Sequence, residues 1–179
     1  MQPVNRQNNS ILIFIAAENF SSVEYRIVRE MLIKNGYGIF VTSDAKDVCV
    51  GDDDSKVRPE VPFYNVRASN FAGIVVIGGK GIATYFEDPG VLKIIKNFHS
   101  ANKLVAAICA APVLLLRSGV LLKGAATCHP AYKQELISAQ IDYSDNKAVI
   151  NGNIITGTDA AASVEFAGAL IKKLSTKKI

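Results

Sequence analysis

The residues of this chain best equipped for chemistry lie in one stretch, Ala106-Ala107-Ile108-Cys109-Ala110-Ala111-Pro112. Leu104 to Ile108 is an apolar run of strand length, and Val113 to Leu116 continue as an apolar helix. Pro112 suits the first turn of that helix, where its missing N–H would have no intrahelical partner. Cys109 therefore falls on a strand-to-helix corner. Small Ala107 and Ala111 stand two residues to either side, the pattern of a nucleophile elbow with sulfur in place of the serine oxygen. A backbone that reverses this sharply needs small neighbours. The helix N-terminus aims partial positive charge at the sulfur, which predicts a thiolate.

A nucleophilic thiol needs a base, an acid and something to hold the charge it creates. His129, in Thr127-Cys128-His129-Pro130, is the candidate proton carrier, and Glu18, after the first strand, is the candidate carboxylate. Glu18 also reads as an acidic residue stabilised near a helix N-terminus. The Gly78-Gly79 pair ends another apolar strand, and glycines there let backbone approach a ligand closely. The amides of Gly79 and Ala110 are candidate oxyanion donors. Cys109, Cys128 and His129 lack the spacing of a metal site, so no metal is expected. The glycines match neither a phosphate loop nor a dinucleotide fingerprint, and no cofactor is expected.

Alternating strands and helices must position these groups. Ser10 to Ala16 reads as a strand buried on both faces, Val23 to Asn35 as an amphipathic helix closed by Gly36, and Ile39 to Thr42 as the next strand. Phe71 to Ile77 and Leu104 to Ile108 are further buried strands, with a helix from Asp88-Pro89 between them. Val48 to Val50 and Lys56-Val57 flank Gly51-Asp52-Asp53-Asp54, a hairpin or a loop excursion with a solvated turn; the ligand spacing of a calcium loop is absent. Ala125 to Cys128 reads as a short strand, Ala131 to Ala139 as a short helix, and Ile141 to Tyr143 as another strand. Ala148 to Ile150 and Asn153 to Thr156 pair through Asn151-Gly152, a type I′ hairpin signal, before a closing helix from Ala160 to Leu174. The order predicts one open, mainly parallel α/β sheet, whose ligands gather at the carboxyl ends of its strands.

The chain of 179 residues fits a single domain over 10–174, between a polar N-terminus at 1–9 and a tail at 175–179. Net charge is only +4, with basic residues clustered at Arg26 and Arg29 and at Lys172, Lys173, Lys177 and Lys178, and no aromatic interleaving. This reads as solvated surface, not nucleic-acid binding. Three cysteines, Cys49, Cys109 and Cys128, without a secretory pattern predict reduced thiols in the cytoplasm, and no apolar run has the length of a membrane span.

At Ala106-Ala-Ile-Cys-Ala-Ala-Pro112, Val76-Ile-Gly-Gly79, Thr127-Cys-His-Pro130 and Asp145 to Thr156 the sequence resembles the ThiJ/PfpI family, over residues 10 to 174. The resemblance implies a flavodoxin-like three-layer sandwich, a homodimer and Cys109 as the reactive thiol. PfpI-type proteases carry a histidine directly after the cysteine; here Ala110 stands there, as in the deglycase branch, whose Thr-His-Pro histidine corresponds to His129. The family's buried glutamate aligns on Ser21, leaving Glu18, Glu24 or no carboxylate as the partner of Cys109. The implied activity is cofactor-independent conversion of small reactive carbonyls. A redox-sensing or chaperone-like protein acting through oxidation of Cys109, and a thiol-dependent hydrolase or hydratase, are the alternatives.

Overall fold

The computed structural model of the chain describes residues 9–176. Residues 1–8 and 177–179, with most of the polar N-terminus and Lys177 and Lys178, lie outside the described residues. In chain order the strands and α-helices are β1 (Ser10–Phe14), β2 (Glu18–Phe20), α1 (Ser22–Lys34), β3 (Gly38–Ser43), β4 (Cys49–Gly51), β5 (Lys56–Val57), β6 (Val61–Pro62) and β7 (Gly73–Val76). There follow α2 (Pro89–Ser100), β8 (Leu104–Ile108), α3 (Pro112–Arg117), β9 (Ala125–Ala126), α4 (Lys133–Ser138), β10 (Asp142–Tyr143), β11 (Ala148–Asn151), β12 (Ile154–Gly157) and α5 (Ser163–Ser175).

The central sheet runs β11-β12-β8-β7-β1-β3-β6. Its pairs are parallel except for the β11–β12 hairpin. Every residue of β1, β7 and β8 is buried, as their continuous apolar runs require. Crossover β1–α1–β3 travels one way along the sheet and β7–α2–β8 the other. Right-handed crossovers then put α1 and α2 on opposite faces. α1 packs with α5 on one face, and α2 packs with α3 and β8 on the other, which gives the expected three layers. The chain reverses its direction of travel between β1 and β7. The carboxyl ends of these neighbours open the crevice where such sheets bind ligands.

Two local readings are corrected. The β4–β5 hairpin exists, but it is joined by β2, unrecognised in the sequence, in a three-stranded sheet beside the carboxyl end of β1. The β11–β12 turn is not type I′. Asn151 pairs with Ile154, and of the two residues between them only Gly152 has a positive φ, 61°, where type I′ needs both. The Asn151 side chain is engaged elsewhere, donating to the Lys123 carbonyl at 2.8 Å.

Helix α2 is started by side-chain chemistry that tests the fold apart from any site. Asp88 caps it, accepting from Val91 N at 2.9 Å, and Pro89 occupies its first turn. Asp88→Ala should cost about 1 kcal/mol and lower the melting temperature by about 2–4 °C, measured by circular dichroism, with Cys109 reactivity unchanged.

Candidate active site

Cys109 stands at the end of β8 with φ 66°, a left-handed conformation unfavourable for a residue with a side chain. Three backbone bonds hold it there. Cys109 N donates to Gly157 O (3.0 Å), Ala111 N to Ile108 O (3.1 Å), and His129 N to Cys109 O (2.8 Å). Ala107 and Ala111 are fully buried beside the corner, as the elbow pattern requires. The last of the three bonds also ties the His129 segment to the elbow. Cys109 is partly exposed, whereas Cys49 and Cys128 are buried.

The carboxylate beside Cys109 is Glu24, not Glu18. Glu18 is exposed on β2, level with Val50, and its charge bears on Cys49 instead. Asn19 turns the chain with φ 54°, Ser21 caps α1, and Glu24 lies in the first turn. Ser21-Ser22-Val23-Glu24 has the form of a capping box. Ser21 Oγ accepts from Glu24 N at 3.5 Å, but the return bond is diverted: Ser21 N donates to Gly78 O (3.0 Å), and Glu24 turns inward. There Glu24 Oε2 accepts from Gly78 N at 2.9 Å, and the carboxyl hydrogen-bonds the Cys109 thiol. The capping-box spacing was the available signal, but it points to a local bond and carries no hint of the distant cysteine.

Gly78-Gly79 was expected to admit a ligand; its first service is to admit the chain itself. A Cβ on Gly78 would lie 2.5 Å from Cys109 Cβ and 3.0 Å from Glu24 Oε2. Gly79 has φ 105°, and a Cβ there would run into the Asn19–Ser21 backbone. No other residue type lets β7, α1 and the elbow converge so closely.

Burial pushes Glu24 up to about 7, with the Gly78, Cys109 and Ser21 hydrogen bonds opposing it. Burial likewise pushes the Cys109 thiol up to about 12, reinforced by the Glu24 charge and opposed by the amides of Gly79 and Ala110. The helix-dipole expectation of a ready thiolate is thus corrected, since α3 is a short helix and the thiol is desolvated. The two amides proposed as oxyanion donors do converge, on the sulfur itself. The two acids are best treated as one unit. Between about 7 and about 12 the pair has lost one proton. Glu24 is the stronger acid of the two, so the singly deprotonated pair carries its charge mainly on the carboxylate; the form with the proton on Glu24 and the charge on sulfur is the minor tautomer.

A cleft of about 520 Å³ opens over the pair, lined among others by Asn19, Asp52, Lys80, His129, Tyr132 and Asp159. His129 is brought to it as expected. Its Nδ1 accepts from Ala131 N at 3.2 Å, so the neutral ring carries its proton on Nε2. Tyr132 meets its ring edge-on at 6.4 Å between centroids. Asp52, read from sequence as part of a solvated turn, also lines the cleft.

Glu24 links this geometry to stability. Its folded-state value lies above the usual carboxylate value, so the folded protein holds the proton more tightly than the unfolded chain. That contribution is complete below the unfolded value and is lost as pH rises through about 7. The difference amounts to about 3 kcal/mol. Glu24→Gln, which keeps an acceptor for Gly78 N–H, should raise the melting temperature more near pH 9 than near pH 5.

The model of the DJ-1/PfpI family matches residues 9–173. A glutathione-independent glyoxalase of Caenorhabditis elegans is 25% identical over 92% of this chain and 88% of its own. A deglycase of Pyrococcus abyssi is 28% identical over 81% of this chain and 87% of its own. The crystal structure of a ThiJ/PfpI domain protein from Brachyspira murdochii superposes with a TM-score of 0.92 at 25% identity, covering 95% of this chain and 98% of that one. The fold is the flavodoxin-like class common to such proteins. With the family match spanning nearly its whole length, this chain belongs to the DJ-1/PfpI family.

Proposed function

We propose that this protein is a cysteine-dependent enzyme that converts small reactive carbonyls to hydroxy acids, without metal or glutathione. The observation that carries the reading is the buried Glu24–Cys109 pair with two backbone amides on the sulfur, opening on a cleft that also holds His129. Relatives named glyoxalase and deglycase support it. Ala110 in place of histidine weighs against a protease arrangement.

With methylglyoxal, Cys109 Sγ adds to the aldehyde carbon. A C–S bond forms, the carbonyl π electrons pass to oxygen, and that oxygen takes the proton of Glu24, giving a hemithioacetal. Glu24, now a carboxylate, or His129 removes the proton from that carbon and returns it at the neighbouring carbon, which yields a thioester. Water cleaves the C–S bond, releasing lactate and restoring the thiol. The net change is addition of one water. The same reading takes the protein as a homodimer, as the family resemblance implies, and as cytoplasmic, as its cysteine usage suggests; no helix among the described residues is long and apolar enough to cross a membrane.

A second reading has a specific observation in its favour. The donors that converge on Cys109 would equally hold an oxidised sulfur, with protonated Glu24 donating to a sulfinate oxygen. Cys49 and Cys128 have no such surroundings, and burial raises both thiols.

Lactate formation from methylglyoxal tests the first reading. Cys109→Ser should abolish it, and Glu24→Gln should lower it by about 100-fold or more. The wild-type rate should rise with pH through about 7, as the pair loses its first proton. Equal activity in wild type and Cys109→Ser, or none in either, removes this substrate. Mild peroxide followed by peptide mass spectrometry tests the second: Cys109 should gain oxygen first, and earlier oxidation of Cys49 or Cys128 would sink it.

A further inference from the structure

The Gly51-Asp52-Asp53-Asp54 turn holds one residue that the chemistry above leaves unused. Asp52 N donates to Phe20 O at 2.9 Å, and Asp52 Oδ1 accepts from Ser22 N at 3.0 Å. The anchors are the end of β2 and the first residue of α1, so the carboxylate is pinned at the helix end that carries Glu24, and it lines the same cleft. Its neighbour points elsewhere: Asp53 accepts from Ser55 N at 3.0 Å and lines a separate groove with Arg26 and Arg29.

The groups that face Glu24 come from several elements. Cys109 approaches from the elbow, the Gly78 amide from the end of β7, Ser21 from the helix cap, and Asp52 from the β4–β5 turn. Lys80 after β7, His129 and Tyr132 after β9, and Asp159 after β12 complete the charged and titratable lining of the cleft. Burial dominates the behaviour of Glu24, and the Asp52 charge adds to it in the same direction. The main influences on Cys109 are burial, Glu24 and the two amides, whereas Asp52 is held to Ser22 N, two residues from Glu24 in the first turn of α1. A charge that acts more strongly on one member of a proton-sharing pair biases where the proton rests.

We propose that Asp52 is a positioning residue for that proton: its negative charge disfavours the Glu24 carboxylate and so raises the share of the singly deprotonated pair that holds the proton on Glu24 and the charge on the Cys109 sulfur. The proposal rests on Cys109 being the nucleophile of the reading above, but not on carbonyl turnover. It is therefore tested by alkylation of Cys109 with iodoacetamide, followed by mass spectrometry as a function of pH at low ionic strength.

Asp52→Asn is the informative variant, because its side-chain oxygen still accepts from Ser22 N–H while the charge is gone. Its alkylation rate should coincide with wild type well below the midpoint. There the fully protonated pair must lose a proton from sulfur, on which Asp52 acts less than on Glu24. The variant should then level off earlier, at a midpoint lower by about half a pH unit and a plateau lower by about threefold, as expected for a screened, exposed charge. Adding 1 M NaCl, which shrinks the screening length to about 3 Å, should lower the wild-type plateau similarly and leave Asp52→Asn nearly unchanged. An unchanged midpoint and plateau in Asp52→Asn would overturn the proposal. So would a uniform fall in rate at every pH together with a lower melting temperature, which would mark Asp52 as a structural cap. If Asp52→Asn fails to fold, the salt dependence of the wild-type plateau decides: no dependence overturns the proposal. A wild type that alkylates as expected but makes no lactate fails the carbonyl reading alone.

Discussion

A single shared proton between Glu24 and Cys109 organises this molecule. Neither group would be placed where it is for stability. A buried carboxyl is costly when charged, and a cysteine at φ 66° is held in a conformation that other corners leave to glycine. Put together they offset part of each other's cost, because the carboxylate accepts a hydrogen bond that the thiol donates. Their combined titration leaves one negative charge on the pair over a wide range above neutrality. The chemistry depends on which of the two atoms carries it.

The sheet supplies the rigidity that such an arrangement needs. β1, β7 and β8 are neighbours in the sheet and are wholly buried, and each ends at the same crevice. The chain leaving β1 delivers Ser21 and Glu24, the chain leaving β7 delivers the Gly78 and Gly79 amides, and the chain leaving β8 delivers Cys109. The three arrive within contact distance only because Gly78 and Gly79 have no Cβ to keep them apart. Charge stabilisation at sulfur therefore comes from individual backbone amides, aimed by strand ends, more than from the short helix that follows. His129 joins through the main chain as well as the side chain, since its N–H holds the elbow carbonyl.

Much of this was legible in the linear chain. Continuous apolar runs at Ser10, Phe71 and Leu104 announce buried parallel strands, and small residues around Cys109 announce the corner. Those features depend on near neighbours in sequence, where steric and periodic rules act directly. The choice between Glu18 and Glu24 does not. Both lie in the segment after β1, and a local reading favours the residue nearer the strand end. The turn at Asn19 and the short pairing of β2 with β4 reverse that preference, sending Glu18 outward and Glu24 inward.

By itself the sequence determined the main strands and helices of the central sheet, the corner that carries Cys109 and the histidine that accompanies it, because each rests on local sterics or on a compact motif. The convergence in space of β2, β7, α1 and the β4–β5 turn determined the rest. It chose Glu24 as the carboxyl partner, turned Gly78 and Gly79 into a close contact between chain segments, and carried Asp52 to the rim of the cleft. The physical reason is that hydrogen bonding, desolvation and charge depend on distance in space, and the groups that set the proton on Cys109 are far apart along the chain. The cysteine on its corner is visible in the sequence; the groups that surround its sulfur are assembled by the fold.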